Sequence, residues 1–354
     1  MTAAHSKSIE VFVSEQIKQS VSKLPTSNVY LTFGKSSSWP DDTNPPQANT
    51  SVASYNEVWR YMIGAKKIYG NNVRHGIPRF NWISGTVYTA YDHMTDSLTL
   101  QTNSSQADFF VLTSDFNVYK CLSNNNSAVS TVMPTLTLST THFQTSDNYI
   151  WKYMYTLSAE DKLRFLTPGF MPVKTLLSSD NSQQWYVQES ATDGAIHVIR
   201  VTNGGINYTA NDVSVIINGN GQYANAFAVL NTVTNSVQAI VVDNIGFGYT
   251  HADISLVSSY GTGATARAII SPTGGHGSDP VRELGAEYLI INPRLDRSEN
   301  NKFPVTNEYR QIALVQNPFE RGTSNVASKT VYTQVATVIV GTGTSQYQVD
   351  EVVY

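Results

Sequence analysis

The most constraining feature of the sequence is an internal repeat of roughly 40 residues between positions 196 and 271. Residues 201–209 align with 242–250, and residues 224–228 align with 264–268. Each copy is predicted to be a strand, a Gly-rich turn ending in Tyr-Thr, a second strand, a second Gly-rich turn and a third strand. Glycine suits such turns because it readily adopts positive φ angles. Two copies are too few for a solenoid, so the repeat predicts a small β module built from a duplicated unit.

The regions on both sides of the repeat also have a β pattern, which indicates an insertion. We therefore expect a module at 190–272, inserted into a discontinuous body at 25–189 and 273–354. Alternating or continuous apolar runs predict the strands of the body. These strands are 29–33, 87–91, 98–101, 109–112, 118–122, 149–157, 287–292, 309–316, 331–340 and 347–353.

An N-terminal helix is predicted over residues 6–24. Its apolar residues recur at spacings of three and four, and Pro25 ends the pattern. These residues are Ile9, Phe12, Val13, Ile17 and Val21. Because the apolar stripe is narrow, we expect residues 1–24 to form a helical arm that docks on the molecule without filling its core.

Two further helices are indicated by capping residues. Ser54 and Glu57 fit a capping box and predict a helix that ends by Gly70, with Val58, Trp59, Met62 and Ile63 on one face. Ser158 is predicted to cap a short helix that ends before Pro168. Residues 73–82 are predicted to form an ordered loop.

A Ser-rich loop follows the first predicted strand of the body. Gly34 interrupts the strand pattern, and the loop carries Trp39 away from the strand. We expect this loop to pack on the rest of the chain, or on a partner, through the Trp39 ring. The alternative is that Trp39 is an ordinary core residue.

The composition excludes several classes of function. Charged residues make up only 14% of the chain, against about 25% in typical soluble domains. Small polar residues take their place, and a surface of this kind is easily desolvated against neighbouring proteins. The net charge is −4 and no Lys/Arg cluster occurs, so we expect no direct nucleic-acid partner.

Cysteine content and hydropathy bear on the compartment. Cys121 is the single cysteine, which excludes an intramolecular disulfide or a Cys-rich metal site and suits a reducing cytoplasm. The N-terminus has no basic-then-apolar signal pattern, and no apolar run is long enough to span a bilayer. We therefore expect no membrane insertion.

The sequence contains no recognisable catalytic, cofactor-binding or metal-binding constellation. Seven scattered histidines include no metalloprotease spacing, and no G-x-S-x-G nucleophile motif occurs. The Gly-x-Gly pieces at 219–221, 261–263 and 341–343 lack the Lys-Ser/Thr ending of a phosphate-binding loop. His276 is flanked by glycines and could approach a ligand or metal, although a hydrogen bond to backbone also explains it. We predict no catalytic, cofactor or metal residues, no cofactor, and no enzyme activity.

Paired carboxylates are the remaining catalytic candidates, because glycan-cleaving enzymes use two of them. Asp41 with Asp42, and Asp243 with Asp253, are the pairs we name. Solvated loop acids explain these residues better.

Five separated motifs, in this order and spacing, resemble one family. The motifs are 32–35 with Trp39, 57–64 with 77–82, 118–122, 147–153 and 309–318. Together they resemble the baseplate wedge subunit known as gene product eight in T-even-like contractile-tailed phages. The resemblance covers about 25–170 and 285–320, and the duplicated module at 190–272 has no counterpart in it. Asn56, Arg79 and Arg310 lie in these motifs, where they serve either folding or contacts.

The resemblance implies a β-sandwich body with a few helices on loops. It also implies a homodimer that links neighbouring wedge subunits, assembles in the host cytoplasm as a late protein, and is located in the tail baseplate of the virion. No catalysis is implied. The function would be structural, with a part in baseplate rearrangement at host attachment.

Two alternative functions stay open. The module at 190–272 could bind glycans on the host surface if the rings of Tyr208 and Tyr249 stack on sugars, unless these rings fill their own turns. A glycan-degrading tail enzyme would instead use Asp243 and Asp253 as its acids.

Overall fold

The fold is mainly β, with several antiparallel sheets and few helices. We describe it from a computed structural model. The described residues are 7–22, 28–47, 49–94, 109–210, 212–293 and 308–327. The strands predicted at 98–101, 331–340 and 347–353 lie outside these residues.

Five α-helices occur in the described residues. They are α1 (Lys7–Ser22), α2 (Val52–Tyr61), α3 (Ala159–Phe165), α4 (Gln183–Glu189) and α5 (Pro280–Glu283). Three of them begin with a serine whose hydroxyl accepts a hydrogen bond from a backbone N–H three residues later. These capping residues are Ser51, Ser158 and Ser182.

Sixteen strands are present in the same part of the chain. The first eight are β1 (Val29–Gly34), β2 (Met62–Lys67), β3 (Val73–Pro78), β4 (Phe110–Leu112), β5 (Asn117–Asn124), β6 (Phe143–Gln144), β7 (Tyr149–Thr156) and β8 (Phe170–Val173). The others are β9 (Ile196–Ile206), β10 (Ser214–Gly219), β11 (Asn225–Asn231), β12 (Ser236–Asn244), β13 (Ala252–Val257), β14 (Thr262–Ile270), β15 (Tyr288–Ile291) and β16 (Gln311–Gln316).

The chain divides into two compact units. Among the described residues, the first unit contains 7–22 and 69–293, and the second contains 28–68 and 308–327.

The first unit is built on three sheets. A four-stranded sheet has the order β4-β5-β7-β6, and a three-stranded sheet has the order β15-β3-β8. Aromatic side chains fill the four-stranded sheet: Tyr149 stacks on Trp151 with ring centroids 5.5 Å apart, and both are fully buried. Such rings remove a large apolar area from water, so this sheet forms the most densely aromatic part of the core.

The third sheet of this unit comes entirely from the duplicated segment. Its strand order is β10-β13-β14-β9-β12-β11, so strands of the two copies interleave. Strand β9 of the first copy pairs with β14 and β12 of the second, and β10 pairs with β13. Neither copy can therefore form its sheet alone. Alternate residues of all six strands point into one apolar cluster.

The second unit contains a three-stranded antiparallel sheet of order β16-β1-β2. Leu31 on the central strand lies opposite Leu314 on β16 and Lys66 on β2. The Phe33 ring meets the ring of Tyr309 edge-on at 5.2 Å. The register with β2 shifts between Phe33 and Gly34, where the strand pattern was expected to break.

The structure corrects the second predicted helix. The helix is capped by Ser51 and ends at Tyr61, so Ser54 donates its N–H to the cap and is not the cap itself. Residues 62–67, expected to continue the helix, form β2. Gly64 lies close to the Phe33 ring. Pairing with β1 satisfies the backbone N–H and C=O groups that would otherwise be hydrogen-bonded within the helix.

Two other local predictions are wrong. Residues 73–78 form β3, between β15 and β8, and are not a loop. Residues 87–91 form no strand, and the neighbouring Thr86 makes only an isolated bridge to Ser130. Here side chains take the backbone groups of Tyr88: its N–H donates to the Tyr149 hydroxyl at 3.3 Å, and its carbonyl accepts from the Asn124 carboxamide at 2.9 Å. Helix α4 is absent from the predictions, although Ser182 is a recognisable N-cap.

Candidate functional site

The acidic pair Asp243 and Asp253 does not come together in the structure. Asp243 on β12 and Asp253 on β13 are exposed and separated by β9 and β14. Three strand spacings amount to about 14 Å along the sheet, whereas catalytic carboxyl pairs lie about 5–9.5 Å apart. Asp42 accepts a hydrogen bond from Arg310 at 2.9 Å, and Asp41 accepts bonds within its own loop. Both acids thus stabilise a loop.

The thiol of Cys121 is placed where it cannot act as a nucleophile. The residue is fully buried in the four-stranded sheet, and burial raises the pKa of its thiol. In the part of the chain that the structure describes, no three His, Cys, Asp or Glu side chains are grouped as metal ligands. None of the helices described there has the length and apolar character to cross a bilayer.

A buried cluster of titratable side chains lies where the four-stranded sheet meets the six-stranded sheet. We call it the histidine junction, and it consists of His142, His197, His276, Lys120, Lys152 and Glu283. It brings together residues of β5, β7, β9, α5 and two loops. The loop histidine His276, which the sequence singled out, is therefore a buried member of a network.

Short contacts connect the members of the histidine junction. The Nδ1 atoms of His142 and His197 lie 3.1 Å apart, and the rings of His197 and His276 are 5.2 Å apart. Lys120 Nζ lies 3.1 Å from His276 Nδ1 and 3.0 Å from Glu283 Oε2. Lys152 Nζ instead donates to a backbone carbonyl, that of Ser139, at 2.8 Å.

Burial controls the charges in the histidine junction. Loss of water lowers the pKa of His142, and it lowers the pKa of His197 and His276 well below the usual histidine value. Burial also lowers the pKa of Lys152 to about 8. The pKa of Lys120 is lowered by burial too, against the opposing effect of the Glu283 carboxylate. The histidines are therefore neutral at pH 7.

A cleft of about 310 Å³ opens beside the histidine junction. One wall is formed by β9 and β12 of the six-stranded sheet, and the other by β6, the ends of β5 and β7 and the loops beside them. Carboxamides such as Asn125, Gln144 and Gln238 line it, together with His142 and His197. The side chains named here are neutral hydrogen-bonding groups, and none of them is an activated nucleophile.

The Trp39 loop folds back on its own unit. Lys35, in the left-handed region at φ 56°, places Nζ 4.3 Å from the Trp39 ring centroid and 4.4 Å from that of Tyr61. Arg310 donates to Asp42 at 2.9 Å and to the Ser36 carbonyl at 3.0 Å. The half-buried Trp39 ring therefore packs on the rest of the chain, which is one of the two roles predicted for this loop.

Arg79 and Asn56, which the sequence analysis named together with Arg310, lie in different environments. Arg79 donates to Asn81 at 2.9 Å and to the Thr167 carbonyl at 3.1 Å. Its role is therefore in folding, as is that of Arg310. Asn56 is exposed on α2.

Helix α1 presents most of its predicted apolar stripe to solvent. Ile9, Phe12, Val13 and Ile17 are 43–56% exposed, and of the predicted stripe only Val21 is buried. The buried face instead carries Val11 and Ser14, whose hydroxyl donates to the carbonyl of Ala286 at 2.8 Å. Ion pairs of the helix residues with Glu287 and Arg282 fix this rotation. Hydropathy alone therefore predicted the wrong face.

Helix α2 and strand β16 also expose large apolar residues. On α2, Val52, Tyr55 and Trp59 follow one another at helical spacing, and no residue of the helix is buried. The rings of Tyr55 and Trp59 contact each other edge-on at 6.1 Å. On β16, Ile312 and Leu314 are exposed. Contiguous exposed apolar residues of this kind are typical of protein-protein contact surfaces.

The rings of Tyr208 and Tyr249 pack against the second Gly-rich turn of the other copy, at Gly261 and Gly221 respectively, rather than filling only their own turns. Both are buried, and their hydroxyl oxygens accept hydrogen bonds from the backbone N–H groups of Ala264 and Ala224, at 3.2 and 3.3 Å. Each tyrosine therefore bonds to a residue of the other copy of the repeat. Their rings are not available to stack on sugars.

Comparison with known proteins gives one family. Residues 15–140, about a third of the chain, match the family Phage-Gp8, described as Bacteriophage T4, Gp8. No curated protein matches the chain. The match includes the first three of the five motifs, and it ends before the duplicated module. Over residues 15–140 it confirms the resemblance to the gene product eight family that the motifs indicate, and it supports a structural subunit of a phage baseplate.

Proposed function

We propose that the protein is a subunit of the phage tail baseplate wedge that forms a homodimer, links neighbouring wedge subunits and takes part in baseplate rearrangement at host attachment. The subunit is assembled in the host cytoplasm as a late protein and resides in the virion tail. It acts by shape, without catalytic, cofactor or metal residues and without binding nucleic acid directly or inserting into a membrane.

The observation that carries this proposal is the apolar surface of α2. Val52, Tyr55 and Trp59 are 75, 59 and 38% exposed on one short helix. Exposing them to water in an isolated chain is unfavourable, whereas burial against a neighbour stabilises an assembly. Aromatic residues are also the ones most enriched at protein interfaces. The helix lies within the region that matches the Gp8 family.

We further propose the domain organisation expected from the sequence. Residues 1–24 form an arm, 25–189 and 273–354 form the body, and 190–272 form the inserted module. The strand pairing of the six-stranded sheet supports the last of these, since all its strands come from 196–270.

The mass of the purified protein tests the homodimer. Light scattering should give twice the chain mass of 38.9 kDa. The double variant Tyr55→Ser/Trp59→Ser should lower the dimer fraction or the affinity for wedge subunits. The control Leu177→Ser, at an apolar residue that is 97% exposed and lies outside α2, should change neither. A monomer with no affinity for wedge proteins would contradict the proposal.

A further inference from the structure

The two copies of the duplicated unit correspond residue by residue at their second Gly-rich turn. Gly221 lies against the ring of Tyr249, and Gly261 lies in the same way against the ring of Tyr208. In both turns a side chain at the glycine would overlap the ring. The second copy is therefore an internal control for what this turn requires.

The residue two positions after these glycines differs between the copies. The second copy has Gly263 at φ 81°, and the first has Tyr223 at φ 65°. This left-handed region is readily adopted by glycine and is unfavourable for a bulky side chain. Because Gly263 satisfies the same turn without strain, folding alone does not explain a tyrosine at position 223.

The Tyr223 side chain is not used to fill the core. It is 70% exposed and lies beside Phe247, which is 48% exposed, with ring centroids 5.6 Å apart and planes at 43°. Two backbone hydrogen bonds between Gln222 and Phe247, at 3.0 and 3.1 Å, hold the rings together. The residue of the first copy that matches Phe247 is Ile206, so the aromatic pair occurs at one end of the sheet.

The two segments that carry the aromatic pair are polar and uncharged. Residues 218–225 and 244–251 contain no Asp, Glu, Lys or Arg. Gln222 and Asn225, one residue before and two residues after Tyr223, are exposed and carry carboxamide groups. Asn220 is held by a hydrogen bond that its carboxamide donates to the Thr250 hydroxyl at 2.9 Å. A charged ligand would find no partner in these segments. Two rings are also far smaller than the roughly 800 Å² per partner that a stable protein interface buries.

We propose that Tyr223 and Phe247 form a binding site for a neutral saccharide. The C–H face of a sugar ring packs on the two aromatic rings, and its hydroxyls exchange hydrogen bonds with the carboxamides of Gln222 and Asn225. This site does not depend on the assembly function, because it uses no residue of α1, α2 or β16.

The test replaces each aromatic residue by its counterpart in the other copy. Full-length protein is applied to immobilised oligosaccharides of glucose, galactose and N-acetylglucosamine, and the affinity for any that bind is measured. Tyr223→Gly and Phe247→Ile should each weaken binding about tenfold or more. Tyr223→Gly should keep or raise the melting temperature, since Gly relieves the strain at position 223. Phe247→Ile should keep it, since Ile206 takes the corresponding position in the other copy.

The matched control is Tyr260→Asn. Tyr260 is a 73% exposed tyrosine of the second copy, and Asn220 occupies the corresponding position of the first. This variant should bind saccharide as the unmodified protein does. Absence of binding to every oligosaccharide, or equal binding by Tyr223→Gly, would overturn the proposal. Loss of affinity for wedge subunits in Tyr223→Gly, without saccharide binding, would overturn it in favour of a protein contact. The light-scattering mass reports on the homodimer separately.

Discussion

The Nδ1 atoms of His142 and His197 lie 3.1 Å apart, at the contact between the segment preceding β6 and strand β9. At this distance one ring must donate and the other accept, so the contact requires at least one neutral imidazole. Protonating both rings would place two positive charges together, beside the Lys152 ammonium. Glu283 is the single carboxylate in the histidine junction that could balance them.

We therefore expect the protein to lose stability as the pH falls below 7. The pKa values of His142, His197 and His276 are lower in the folded protein than the unfolded value of about 6.5, so the unfolded chain binds more protons. Their contribution is complete above pH 6.5 and is lost as the pH drops. His75, with a pKa lowered by burial to about 4, acts in the same direction. A group whose pKa falls as far as that of His75 removes about 2 kcal/mol by pH 5.

Urea unfolding at pH 7.5, 6 and 5 measures this loss. The variant His197→Gln should reduce the difference between pH 7.5 and 5, whereas His251→Gln, at an exposed position, should leave it unchanged. An equal pH dependence in His197→Gln and the unmodified protein would show that the histidine junction does not respond to acid.

Lys152→Met is expected to stabilise the protein at pH 7 by about 1–3 kcal/mol, because a buried ammonium without a carboxylate partner is costly. Lys152 is 2% exposed, and among the described residues it donates to the Ser139 carbonyl, which also accepts from Ser190. The lowered pKa of about 8 means that the unmodified protein gains stability as the pH rises above 8. The variant should lack this gain in urea unfolding between pH 8 and 9.5.

Lys120→Met should have the opposite sign, with a loss of about 3–5 kcal/mol. Lys120 is fully buried as well, but its Nζ contacts the Glu283 carboxylate at 3.0 Å. Removing it leaves Glu283 with the backbone donors of Gly277 and Asp279 and with the His276 ring, whose Nδ1 lies 3.9 Å from the carboxylate. Equal effects of the two lysine substitutions in the same urea assay would refute this distinction.

The duplicated segment was predictable from sequence in its parts but not in its arrangement. The aligned glycines and tyrosines predicted strands and turns, since turn chemistry is local. The pairing of β9 with β14, and of β10 with β13, depends on contacts between the copies. No spacing in the sequence reports such contacts.

The histidine junction could not be predicted for a similar reason. His142, His197 and His276 are separated by tens of residues and have no local motif, so only the tertiary structure brings them together. Helix α4 differs, because the Ser182 cap was a readable signal. The strand β2 was missed because Met62 and Ile63 continue the helical spacing of α2, and pairing with β1 overrides that preference.

Gly261→Ala and Gly221→Ala should each destabilise the six-stranded sheet by about 1–3 kcal/mol, because the added methyl group would overlap a buried tyrosine ring. The displaced ring would also lose the hydrogen bond that its hydroxyl accepts from the other copy. Thermal unfolding measures the effect. Gly169→Ala is the control, since its methyl group would meet no atom within 4 Å. A change below 0.5 kcal/mol, about the size of a neutral surface substitution, in the first two variants would contradict the packing.

The two faces of α1 should respond differently to substitution. Val11→Ala should cost about 1–3 kcal/mol in urea unfolding of the isolated protein, because Val11 is 3% exposed and packs in the core. Phe12→Ser, on the adjacent exposed face, should change that value by less than about 0.5 kcal/mol. If α1 contacts a neighbouring subunit in the baseplate, Phe12→Ser should instead weaken association in a binding assay with wedge proteins. A large stability loss in Phe12→Ser, with none in Val11→Ala, would mean that the helix is rotated about its axis.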